Sequence, residues 1–220
     1  MIKNWWKLLA SVLVLFSIVA GLLNDVPRLP ILHESIRNLY FHVPMWFTMI
    51  LLFSISVVYS IKYLGSGREN DDLIAVECIN TGIIFTFLGL TTGMIWANFT
   101  WGSPWPDDPK LNSAAIAALM YLAYLVLRNS LDEEQKRAKI SAIYNIFAYP
   151  VMIVLLFVLP RMTDSLHPGN GGNPGFNSYD LDNNMRWVFY PAVLGWILIG
   201  VWIATLRFRI RKLENKHNAV

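Results

Sequence analysis

The sequence predicts an all-α integral membrane protein, a bundle of six transmembrane helices joined by short loops. Three observations predict it. The 220-residue chain is 55% hydrophobic and 15% charged, where a soluble domain carries about 25% charged residues. Its apolar residues gather into runs of about 17–25, long enough to cross a hydrocarbon core roughly 30 Å thick. Six such runs with their connections use up the chain, so residues 1–220 read as a single transmembrane domain with no length left for a soluble one.

Lys3, Trp5, Trp6 and Lys7 lead into the first run, Leu8 to Leu23. A basic start before an apolar stretch also describes a signal peptide. The run is long for that purpose, and Asn24-Asp25-Val26-Pro27 is a poor cleavage site, so it reads as a retained helix. Pro27 to Tyr40 is a polar connection carrying Arg28, His33, Glu34 and Arg37. Phe41-His42-Val43-Pro44-Met45-Trp46 opens the second run, which continues to about Tyr63. Pro44 falls in the first turn, where a helix tolerates proline, and His42 stands at the helix mouth.

Lys62 to Asp72 is a charged loop. The third run, Leu73 to Trp96, holds Glu77, Cys78, Asn80 and a Gly89-x-x-x-Gly93 step of the kind that brings helices close. Glu77 is costly in lipid but lies near the loop, within reach of water by snorkelling. The fourth run, Ser113 to Leu127, starts Ala-rich and carries Met120, Tyr121 and Tyr124, a helix packed on neighbours. Arg128 to Lys139 reads as a solvated charged loop, and the fifth run, Ile140 to Leu159, carries Pro150, a kink. Pro160 to Met185 is the longest connection, with turn chemistry throughout His167-Pro168-Gly169-Asn170-Gly171-Gly172-Asn173-Pro174-Gly175. The sixth run is Trp187 to Leu206, followed by a basic tail.

Six spans put both termini on one face. Thirteen of the eighteen Lys and Arg fall on that face and five (Arg28, Arg37, Lys110, Arg161 and Arg186) on the other, so the positive-inside rule predicts cytoplasmic termini. The formal charge of +3 reflects loop residues and does not point to nucleic acid. Cys78 is the single cysteine and lies within an apolar run, so no disulfide, Cys₄ site or C-x-x-C-H haem attachment is available. No G-x-x-x-x-G-K-[ST] phosphate loop is present either.

The segment that stands apart is Trp96 to Ser113, W-A-N-F-T-W-G-S-P-W-P-D-D-P-K-L-N-S. Pro104, Pro106 and Pro109 lack the N–H that a helix ladder needs, so the third helix cannot simply continue through them. An aromatic belt at the membrane interface explains a single tryptophan. It does not call for a Gly-Ser-Pro turn or an Asp-Pro-Lys close, whereas a shelf for a flat apolar ligand with anionic edges uses them all. The predicted sidedness puts this segment, His33, His42 and His167 on the outer face.

Haem fits that constellation. A porphyrin stacks on aromatic planes, its iron takes imidazole, and its propionates pair with Lys or Arg. His42 and His167 are the candidate axial pair, Trp101 and Trp105 with Trp96 the platform, and Lys110, Arg37, Arg161 and Arg186 the cations. A ligand on a flexible loop also suits a carrier, because the cargo must leave.

The motif W-A-x3-W-G-x2-W-x2-D-P-K-L-x-S resembles the tryptophan-rich signature of haem-handling membrane proteins of cytochrome c biogenesis, the CcmC, CcmF and CcsA types. The six-span layout, with His42 in F-H-V-P and His167 in L-H-P, is most similar to CcmC. That resemblance implies a carrier of haem b rather than an enzyme, in the bacterial cytoplasmic (inner) membrane with its site on the periplasmic face. It implies His42 and His167 as axial ligands and Trp101, Trp105, Asp108 and Lys110 in the platform. It implies delivery to a CcmE-like haem chaperone, with an ABC transporter pair like CcmA and CcmB and a small protein like CcmD as partners. One departure stands out: the family pattern W-D-P-R is Asp107-Asp108-Pro109-Lys110 here. Asp107 cannot stack and would repel a propionate, leaving stacking to Trp96 or Phe99.

Two other classes compete. A b-type cytochrome anchor would place histidine pairs inside helices on both sides of the bilayer, and this chain offers them on one. A small-solute transporter calls for polar groups near the midplane and repeat-related broken helices. Only Glu77, Asn80 and a few threonines qualify, and no internal repeat is visible.

Overall fold

The computed structural model describes residues 4–167 and 181–218. The Gly/Asn-rich part of the long connection, 168–175, lies outside the described residues. Six helices carry the fold: α1 (Trp5–Leu23), α2 (Leu39–Ser66), α3 (Glu69–Trp101), α4 (Pro109–Asn129), α5 (Glu134–Ile153) and α6 (Asn183–Asn218). With their flanking turns, all six are long and apolar enough to cross a membrane, and among the described residues there is no strand. Helices answer the absence of water in lipid by keeping every backbone hydrogen bond internal.

The helices reach further than hydropathy alone suggests. Gly67 (φ 65) ends α2 by returning its N–H to the Tyr63 carbonyl at 2.7 Å, and α3 starts two residues later, so the expected loop over Lys62–Asp72 shrinks to a sharp turn. Glycine takes that left-handed conformation without strain. At the other end α3 passes Trp96 and stops at Trp101, where Gly102 (φ 75) repeats the device onto Asn98. Charged and polar residues are ordinary helix formers once outside hydrocarbon, so a fall in hydropathy marks the membrane edge and not the helix end.

Two charged residues sit otherwise than the sequence predicts. Arg128 is not part of a solvated loop: it closes α4 and donates to both carboxylate oxygens of Asp72 on α3, at 2.9 and 2.5 Å, with each side chain 11% exposed. Glu77 does not snorkel. It is buried and accepts from Arg207 at 2.7 Å and Arg211 at 3.3 Å, both on α6, and from Asn80 at 3.2 Å.

α2 and α3 form the longest seam, with α6 laid across α1, α2 and α3, and α5 against α2 and α4. The seam buries Met45, Met49, Leu52, Phe53, Ile79 and Phe85, and Phe53 stacks on Tyr121 of α4 at 3.8 Å between ring centres. After Pro150, α5 gives way to a π turn (Val154–Val158) and a 3-10 turn (Leu159–Arg161). Proline removes a rung of the ladder, and the wider π turn absorbs the change of register. A short 3-10 turn, Glu34–Asn38, precedes α2.

Candidate ligand cavity and its two histidines

The N-terminal ends of α2 and α4, the C-terminal end of α3 and the irregular end of α5 enclose a cavity of about 250 Å³. Both His42 and His167 line it, with Trp46, Trp96, Lys110 and Arg161 among their neighbours. The remaining wall is mainly apolar, including Val43, Phe47, Leu90, Met94, Leu156 and Phe157.

His42 closes the first turn of α2, since the helix begins at Leu39 and not at Phe41. Pro44 is therefore inside the helix. The His42 Nδ1 is 3.0 Å from the Gly89 carbonyl and 3.1 Å from the Thr92 hydroxyl, and its Nε2 accepts from the Trp46 indole N–H at 3.3 Å. A carbonyl only accepts and an indole only donates. Together they put the proton on Nδ1 and the lone pair on Nε2. The Trp96 ring meets the imidazole edge-on at 5.9 Å and is itself tied to Ser35 through its N–H at 3.0 Å.

The Gly89-x-x-x-Gly93 step turns out to serve side chains. A Cβ on Gly93 would lie 2.8 Å from His42 Cε1, and one on Gly89 would lie 2.8 Å from Trp46 Cε2. The glycines are seats for the two rings, where sequence reading expected close helix packing.

His167 is built differently. Its Nδ1 lies 3.1 Å from Asp108 Oδ1, and a carboxylate only accepts, so Nδ1 again carries the proton and Nε2 the lone pair. Asp108 is the N-cap of α4: its Oδ1 accepts from the backbone N–H of Lys110 and Leu111 at 2.9 and 3.2 Å. Its Oδ2 accepts from the Ser165 hydroxyl at 2.8 Å and the Leu166 N–H at 2.7 Å. Burial opposes its ionisation, but the bonds from His167, Leu166 and Ser165 outweigh that and hold the carboxyl below its usual range. Burial likewise lowers the His167 pKa below 6.5, with Lys110 acting the same way against the pull of Asp108. Trp101 packs its ring edge-on against His167 at 5.0 Å.

The remaining expected residues scatter. Trp101 supports His167 from behind and is not among the cavity-lining residues. Trp105 is 38% exposed and bonds Asn112 at 3.1 Å. Phe99 is 76% exposed. Asp107 is exposed and accepts from Asn112 at 3.2 Å, away from the cavity wall. Arg37 donates to the carbonyls of Gly21 and Asn24 and pairs with Glu34, so it braces the α1–α2 connection. His33 is exposed, with φ 45, at the start of the 3-10 turn. Sequence reading missed Trp46, Thr92 and the supporting role of Asp108. One signal was available: an Asp-Pro pair before an apolar run is an N-cap followed by N1 proline.

The cavity is thus lined by two imidazoles with unprotonated Nε2, two indoles and two cations. The family model described as Heme exporter protein C matches residues 1–220. The chain belongs to that family. Its relatives include the Heme exporter protein C of Bradyrhizobium diazoefficiens, 28% identical over 185 residues, 82% of this chain and 70% of the relative. The Rhodobacter capsulatus protein of the same name is 25% identical over 211 residues, 94% of this chain and 84% of the relative. A 40% identical match to cytochrome c biogenesis protein CcsA of Prochlorococcus marinus spans 82 residues, 37% of this chain and 26% of that protein. Family likeness of the Heme exporter protein C type thus runs the length of the fold, while the CcsA match is confined to a segment.

Proposed function

We propose that this chain handles haem for cytochrome c maturation, holding haem b as cargo in the cavity between α2, α3, α4 and the end of α5. The observation that carries the reading is the pair of imidazoles, each with its proton on Nδ1 and its Nε2 lone pair unprotonated, lining one cavity. Neutral imidazole nitrogen is what haem iron takes as an axial ligand. Lys110 and Arg161 line the same cavity and pair with the propionates. Trp96 is the cavity's aromatic wall, while Trp101 acts on haem through His167. The names of its relatives, Heme exporter protein C, support the class of cargo.

The excess of Lys and Arg at the end bearing both termini supports cytoplasmic termini and a cavity at the periplasmic face of the inner membrane. From there the cargo passes to a CcmE-like chaperone, with CcmA-, CcmB- and CcmD-like partners. The chain acts as a carrier and makes or breaks no covalent bond in haem.

Purified protein loaded with haem is expected to show a Soret band that weakens in His42→Ala and in His167→Ala. A double variant with the full band would remove this reading. Reporter fusions at residues 67 and 105 test sidedness, and the reading requires them to report opposite faces.

A further inference from the structure

Trp46 is the one cavity residue whose polar group is spent on the nitrogen that the proposed function needs. Its indole N–H points at His42 Nε2 from 3.3 Å, one turn further along the same helix. A bond of that length is at the weak end for nitrogen donors. The ring meets the imidazole edge-on at 6.1 Å between centres and rests over Gly89, whose missing Cβ leaves the space it occupies. Trp46 itself lines the cavity. His167 has no such partner among the described residues: its known bond is on Nδ1, to Asp108.

We infer that Trp46 is a displaceable cap on His42, a positioning residue that occupies the ligating lone pair until haem iron replaces it. The inference rests on haem being the cargo and His42 an axial ligand. A buried imidazole nitrogen without a partner is destabilising, so the cap satisfies the ligand-free protein. The same bond must break when iron binds, so it weakens capture at His42 and leaves His167, which has no such cap among the described residues, to engage first. On release the indole returns to Nε2 and favours departure of the cargo. A carrier gains from that, because its ligand must bind and leave.

The test uses the full chain in detergent, titrated with ferric haem and followed at the Soret band. Trp46→Phe keeps the ring and removes the donor. It is expected to bind haem roughly threefold to tenfold tighter, in line with the loss of one competing hydrogen bond, and to load faster. In a His42→Ala background the same substitution is expected to change neither quantity, a coupling that loss of packing alone does not produce. Gly89→Ala, which crowds the indole, is a second route to the same displacement and is expected to act in the same direction. If His42→Ala weakens the band but Trp46→Phe binds no tighter than the parent, the cap is overturned and the haem reading stands. If His42→Ala leaves the band intact, His42 is no ligand and the cap falls with that assignment, while the haem reading itself is decided by the His42→Ala, His167→Ala double variant.

Discussion

The two ends of the bundle solve the problem of polar groups in a membrane in opposite ways. At the end carrying the termini, buried carboxylates are paired: Asp72 takes both arms of Arg128, and Glu77 takes Arg207, Arg211 and Asn80. Nearby, Asn145 of α5 donates to Ser56 and Ser60 of α2. All but the Asn80–Glu77 bond, which lies within α3, tie one helix to another. At the cavity end the polar side chains are held more loosely. His42 and His167 are anchored through Nδ1, His42 Nε2 meets only the long Trp46 indole contact, and Lys110 and Arg161 line the same cavity. Paired charge fixes helices where they must not move, and half-satisfied groups gather where something else is to complete them.

Breaking the closed end gives the largest expected effect. Asp72→Ala leaves the buried Arg128 guanidinium without its partner, and removing one member of a buried pair costs about 3–5 kcal/mol. Unfolding in detergent measures the loss. The Soret band of the fraction that folds is expected to keep its position, and a shifted band would show that the ends are coupled after all.

Next in size is Asp108→Asn. Asparagine still caps a helix, so stability is expected to change little. His167 however loses a carboxylate partner, and loss of such a support behind a metal-binding imidazole weakens binding by roughly 10–100-fold. Haem titration beside an unfolding curve separates the two. A fall in stability without a fall in affinity would assign Asp108 to the helix alone.

A smaller contrast sharpens the cavity end itself. Trp101 touches His167, while Trp105 is exposed and bonds within its own segment, to Ser103 and Asn112. Trp101→Ala is expected to reduce haem retention. Trp105→Ala is expected to stay within about 0.5 kcal/mol of the parent in both stability and binding, as exposed positions usually do. Equal losses in both would restore a tryptophan shelf at the membrane surface.

The sequence made the six spans and the two histidines legible, because hydropathy reports lipid exposure and imidazole is rare in apolar runs. It could not reveal what lay across helix packing. Glu77 looked like a residue near a loop because its partners are 130 and 134 positions away. The tryptophan-rich segment drew attention by composition, yet the indole bonded to His42 is Trp46, outside that segment. Gly89 and Gly93 were visible as a pair, but the rings they seat belong to α2. Spacing within one helix is readable, whereas contacts between helices depend on a register that a single chain does not display.

The smallest expected effect is one of acid. Burial and Lys110 lower the His167 pKa below its ordinary 6.5, against Asp108. The folded imidazole therefore stays neutral as the pH falls through 6.5, and the Nε2 lone pair stays available. Haem affinity is expected to hold across that value and to fall only at the lower folded pKa. Stability behaves otherwise. The unfolded chain takes up a proton near 6.5 that the folded chain refuses, so stability declines as the pH drops below 6.5 while binding does not. Asp108→Asn removes a group that raises the His167 pKa, which moves the acid edge of binding further down even as affinity at neutral pH weakens. An edge at 6.5 in the parent protein, unmoved by Asp108→Asn, would mean that His167 titrates as a free surface histidine and is not held against α4.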